Sequence, residues 1–94
     1  MSNKAHTAVV NRIVTRYQGT ALNGGLFDVS AGEWLIAVET TATLATTFAR
    51  IQALTGTHYI AVTNQESLDE ALRLTDGTSV GVMNSQGDIV KTAE

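Results

Sequence analysis

The chain has no cysteine and no proline, and only 5% of its residues are aromatic. Without Cys, a disulfide scaffold and Cys-ligated zinc are both excluded. With so few aromatic rings, a core has to be assembled mainly from Val, Ile, Leu and Ala. Positive charge is also scarce. Six Lys and Arg stand against nine Asp and Glu, a formal net charge of −3. That balance argues against tight, non-specific binding to nucleic acid. No apolar run approaches the length of a membrane span, and the opening MSNKAHTAVVNRIVTRY has no apolar signal core. The expectation is a cytoplasmic protein with no membrane association. There is no low-complexity tract, internal repeat or linker.

Hydrophobic residues make up 44% of the 94 positions, enough for one small domain spanning 1–94 and too few residues for two. A domain of this size with no disulfide gains stability from self-association, so a homo-oligomer is expected.

The most informative stretch is Phe27 to Thr41, FDVSAGEWLIAVETT. It reads as a β-hairpin with one arm from Leu26 to Ser30, a turn at Ala31-Gly32 and a second arm from Glu33 to Thr40. The second arm carries Trp34, Leu35, Ile36, Ala37 and Val38 without a polar break. Such a run suits a strand buried on both faces. Glu39 follows it directly, and an unpaired charge beside a core is costly, so this acid needs an explanation.

Around the hairpin the chain alternates helices and strands. Val9, Val10, Ile13, Val14 and Tyr17 recur on one face of a helix over 8–17. Ser2, Asn3 or Thr7 is suited to cap it, and Gly19 to stop it. Arg12 and Arg16 lie one turn apart on its polar side, read either as a solvated face or as a pair of phosphate contacts. Thr20 to Asn23 fits a short edge strand before the Asn23-Gly24-Gly25 turn. Leu44, Phe48, Ile51 and Leu54 mark a helix over 43–54 ended by Gly56. Tyr59 to Val62 is a buried strand. Asn64 then caps a helix whose acids Glu66, Asp69 and Glu70 sit in its early turns, and Asp76-Gly77 ends it. Ser79 to Met83 and Asp88 to Lys91 are strands joined by the turn Asn84-Ser85-Gln86-Gly87. The predicted order is α-β-β-α-β-α-β-β. It describes an α/β fold whose mixed sheet has an antiparallel hairpin core, flanked by helices and extended in parallel through a crossover helix.

With Asp in one arm of a hairpin, Glu near the end of the next and a helix, strand and helix after it, the chain resembles the restriction-endonuclease-like PD-(D/E)XK nuclease superfamily. The residues that carry the resemblance are Phe27-Asp28-Val29 and Ile36-Ala37-Val38-Glu39-Thr40-Thr41. The tail, YIAVTN, ESLDEALRL and TSVGVMNSQGDIV, is similar to the end of many such domains. The resemblance covers roughly Ala8 to Lys91. It implies a restriction-endonuclease-like fold, with Asp28 and Glu39 as ligands of Mg²⁺ and nucleic acid as substrate. Thr41 stands where the family pattern places a catalytic Lys, and Gln52 at a position where some members hold a glutamine beside the site. Threonine has no charge to hold an attacking water or stabilise a phosphate. A binding or assembly module with lost chemistry is therefore the leading expectation, with nucleic acid or protein as partner. An active nuclease and an unrelated α/β interaction module are the alternatives.

Mg²⁺ prefers hard oxygen ligands, and acids on neighbouring antiparallel strands lie within about 5 Å of one another. A turn at Ala31-Gly32 sets Asp28 near Leu35 or Ile36, so convergence with Glu39 demands a bulge or bend. Each acid also has a structural reading: Asp28 as a strand-edge acid bonded to a turn amide, Glu39 as a cap or ion pair at the next helix. Arg50 and Lys91 are the candidates to replace the missing lysine. His6 and His58 have no second ligand nearby in sequence and read as surface or core-edge histidines. Trp34 is expected beneath a helix or at a subunit contact.

Overall fold

The computed structural model describes residues 4–94. Three helices and six strands follow one another as α1 (Lys4–Tyr17), β1 (Thr20–Ala21), β2 (Val29–Ala31), β3 (Trp34–Glu39), α2 (Thr41–Ile51), β4 (Thr57–Val62), α3 (Gln65–Thr75), β5 (Gly81–Met83) and β6 (Ile89–Lys91). The strands form one mixed sheet in the order β1-β2-β3-β4-β5-β6. The pairs β1–β2, β2–β3 and β5–β6 are antiparallel. The pairs β3–β4 and β4–β5 are parallel, joined through α2 and α3. This is a small α/β domain built as an antiparallel meander with a parallel extension. Among the described residues no helix is long and apolar enough to cross a membrane.

The period of two along each strand divides the core between the faces of the sheet. Ile36 and Val38 of β3, Tyr59 and Ala61 of β4, and Met83 of β5 pack with Val9 and Ile13 of α1. Ala37, Ile60, Val62 and Val82 turn the other way, onto Leu44, Phe48 and Ile51 of α2 and Ala71 of α3. Helices therefore cover both faces, and β3 is apolar on both sides for that reason. Burial of each large aliphatic side chain contributes roughly 1.5–3 kcal/mol. Trp34 lies beneath α1, between the rings of Tyr17 (5.4 Å) and Tyr59 (4.9 Å).

Several boundaries differ from the sequence reading. The first helix begins by Lys4, with Thr7 inside it; Ser2 and Asn3 lie outside the described residues. After Tyr17 it is Gln18, not Gly19, that takes the left-handed conformation (φ 53°). Gly19 is needed for another reason: a Cβ there would meet the Ser30 carbonyl oxygen at 2.8 Å and Val29 Cγ1 at 3.0 Å. The hairpin turn is Gly32-Glu33, one residue later than expected, because Ala31 pairs with Trp34 and Gly32 supplies the positive φ of 60°. The second helix starts at Thr41 and ends at Ile51, ahead of the expected Leu54. Thr40 is its N-cap, and the Thr40 N–H donates to Thr43 Oγ1 at 3.2 Å. Asn64 caps α3 as its side chain suggests, accepting from the Ser67 N–H at 2.8 Å.

Candidate functional site

The corrected turn changes the pairing of the first acid. The observed register pairs Val29 with Ile36, so continuing it would set Asp28 opposite Ala37 and Phe27 opposite Val38. The ladder breaks before that point. The Asp28 N–H donates to the Ile36 carbonyl at 2.9 Å, and the Asp28 carbonyl accepts from the Leu22 N–H at 2.8 Å. Its side chain then replaces the next backbone acceptor: Asp28 Oδ2 accepts from the Val38 N–H at 2.7 Å. The other oxygen, Oδ1, lies 3.2 Å from His6 Nε2 in the first turns of α1. Asp28 thereby closes the end of β2 and ties it to both β3 and α1.

Glu39, the last residue of β3, is 9% exposed. Its Oε1 accepts a hydrogen bond from the Thr47 hydroxyl of α2. Burial pushes the Glu39 carboxyl above the usual carboxylate range. The hydroxyls of Thr47 and Thr43 act against that rise, the charge of Asp28 adds to it and His6 opposes it. Asp28, Glu39 and His6 thus lie within electrostatic reach of one another.

The two acids share a cleft of about 730 Å³ whose lining also includes Leu26, Thr43, Thr47 and Arg50. On the other side of Asp28 a smaller hollow of about 320 Å³ runs between α1 and the loop after β1, lined by His6, Thr7, Val10, Leu22 and Asn23. Arg50 makes no hydrogen bond or ion pair with another described residue. Lys91 lies elsewhere, donating to the Thr78 and Val80 carbonyls at 2.9 and 2.5 Å.

The structure therefore brings Asp28 and Glu39 together and leaves Thr41 and Gln52 outside the cleft lining. The Thr41 hydroxyl is 2.7 Å from that of Ser67 in α3, a contact between the starts of two helices. Gln52 is the exposed C-cap at the far end of α2, its N–H donating to the Phe48 carbonyl at 3.0 Å. His58 is buried on β4 and stacked on Phe27 at 5.0 Å.

His6, read from sequence as a surface or core-edge histidine, is the site residue that sequence reasoning missed; Arg50, one of the two candidates to replace the lysine, is in the cleft lining, and Lys91 is not. His6 stands 22 positions from Asp28, and only the docking of α1 brings them together. Arg50 had a periodic signal: with Thr43 and Thr47 it falls at i, i+4 and i+7 on one face of α2.

The donor set does not fit a resident Mg²⁺. Both Asp28 oxygens face groups of the protein itself, and Glu39 Oε1 accepts from the Thr47 hydroxyl. Among the described residues no three His, Cys, Asp or Glu side chains are grouped to hold a metal ion. Comparison of the chain with protein-family models, with curated proteins and with solved structures finds no match.

Proposed function

We propose that the chain is a restriction-endonuclease-like domain whose acidic cleft has lost metal-dependent hydrolysis and serves as a binding or assembly module. One observation carries this reading. Asp28, the acid that the nuclease resemblance makes a metal ligand, spends one carboxylate oxygen on the Val38 amide and the other on His6. Its role is to finish a strand and hold a helix. The position of the missing lysine supports the same reading, because the Thr41 hydroxyl meets that of Ser67 and Thr41 is outside the cleft lining. The order of helix, antiparallel meander, crossover helix and parallel strand supports the family resemblance.

The partner is a protein or nucleic acid, and self-association is the simplest case. Its support is the outermost strand β6, where Ile89 and Val90 are 37% and 44% exposed.

The competing reading is an active Mg²⁺-dependent nuclease acting through Asp28 and Glu39. It draws on the shared cleft, the perturbed Glu39 and the unpaired Arg50 at its margin. The test is cleavage of DNA and RNA substrates with Mg²⁺ or Mn²⁺, scored against an Asp28→Ala, Glu39→Ala double variant, with sedimentation velocity to fix the oligomeric state. Wild-type cleavage equal to that of the variant is the proposed result. Cleavage well above it would establish the nuclease and end the proposal.

A further inference from the structure

The outer face of α1 carries Asn11, Arg12, Thr15 and Arg16, all exposed. With Gln86 they line a groove of about 460 Å³ between the helix and the turn that links β5 to β6. The turn holds both guanidinium groups in place. Arg12 Nη1 donates to the Ser85 carbonyl at 3.0 Å, and Arg16 Nη1 to the Gln86 carbonyl at 3.4 Å. Arg16 also pairs with Asp88.

Three consequences follow from this arrangement. A surface arginine normally loses much rotamer freedom when it binds a ligand, and here part of that loss has already occurred. Each guanidinium has five N–H donors in a planar fork, and the turn uses only those on Nη1. Asp88 balances Arg16, but Arg12 has no acid within ion-pair distance among the described residues. The groove therefore keeps an excess positive charge in a chain that is negative as a whole. The Thr15 hydroxyl and the carboxamides of Asn11 and Gln86 add neutral donors.

We propose that this groove is an oxyanion site for a phosphate group, with Arg12 as the principal ligand and Arg16 as the second. Fixed forks of this kind recognise tetrahedral oxyanions through paired, charge-assisted hydrogen bonds. The groove shares no lining residue with the acidic cleft, so the proposal does not rest on the reading of that cleft. The C-terminal dipole of α1 opposes an anion here, so a single phosphate binds weakly and Arg12 carries most of the affinity.

The experiment is a titration of ¹⁵N-labelled protein with inorganic phosphate at constant pH and ionic strength, with chloride as the control. The expected result is a saturable shift of the Arg12 and Arg16 side-chain signals and of the amides of Asn11, Thr15 and Gln86. Arg12→Gln weakens binding by about tenfold or more, and Asp88→Asn tightens it by releasing Arg16. Arg12→Lys keeps the charge without the fork, weakens binding several-fold, and serves if the Gln variant does not fold. The proposal is overturned by the absence of saturation, by shifts centred on the starts of α2 or α3, or by unchanged affinity in either Arg12 variant. A fluorescein-labelled single-stranded oligonucleotide separates the sources of phosphate. Binding tighter than inorganic phosphate, with a salt dependence reduced in Arg12→Gln, identifies a nucleic-acid backbone. Equal or weaker binding identifies a free phosphate or phosphate monoester.

Discussion

Asp28 makes four polar contacts at once: two hydrogen bonds through its backbone, one from the Val38 N–H to its carboxylate, and a 3.2 Å contact between its other oxygen and His6 Nε2. Val38, whose amide it accepts from, is 1% exposed, so Asp28→Ala leaves that N–H without its acceptor. The expected loss is about 1–3 kcal/mol in urea unfolding, whereas Asp28→Asn keeps an acceptor and costs under about 1 kcal/mol. Glu39 behaves differently. Its carboxyl lies above the usual range because it is buried. The fold therefore favours the neutral form. That contribution is complete below the unfolded carboxyl value and is lost as pH rises through the elevated folded one. Glu39→Gln removes the charge and keeps a partner for Thr47, so it melts at higher temperature than wild type near pH 7. On acidification the two melting temperatures converge. Wild type melting above the variant at neutral pH would refute the burial argument. Arg16–Asp88 and Glu70–Arg73 hold Asp88 and Glu70 below the usual range, but both pairs are exposed and contribute little to stability.

At the scale of elements, α1 is fixed at both ends by contacts distant in sequence. His6 meets Asp28 near its start, and near its end Tyr17 Oη donates to the Gly87 carbonyl at 2.5 Å. Tyr17→Phe keeps the packing on Trp34 and loses only that bond, an expected cost of about 0.5–1.5 kcal/mol by thermal melting. Gly81→Ala is more damaging. The new Cβ meets the Tyr59 ring and comes within 2.6 Å of the Ala93 nitrogen, where β5 lies under the chain end. The expected loss is about 3 kcal/mol, at the upper end of overpacking costs, and a melting temperature unchanged from wild type would contradict the packing described. These elements were legible in the sequence to different degrees. The helical period of Val9 and Ile13, the apolar run of β3 and the Asn64 cap all follow local rules, and each produced its element. The hairpin turn came out one residue early because Ala31-Gly32 and Gly32-Glu33 both place Gly at a turn position. Only pairing with β1 and β3 decides between them. The His6–Asp28 contact left no local trace, since it depends on how α1 crosses the sheet.

At the scale of the whole molecule, the sheet runs from β1 to β6 without reversing its order. It therefore has no topological switch point of the kind where open α/β sheets form ligand crevices. A cleft lies beside the carboxyl end of β3, made by Asp28 just ahead of β2, the buried Glu39 that ends β3, and the polar face of α2. Of the six Lys and Arg side chains in the chain, Arg50 alone is in the lining of this cleft; Arg16 and Arg73 pair with acids elsewhere, and Arg12 and Lys91 donate to carbonyls away from it. Little positive charge lies near the acids to form a basic rim, as a nucleic-acid-cleaving site requires. Under the proposed reading Asp28 and Glu39 are committed to partners within their own protein. Thermal melting of wild type and the Asp28→Ala, Glu39→Ala variant across a Mg²⁺ and Mn²⁺ titration tests it most directly. A ion that binds only the folded state raises stability with the logarithm of its concentration over its dissociation constant. The expected result is that neither metal raises the melting temperature of wild type more than that of the variant; a rise in wild type alone would show that the two acids form a metal site.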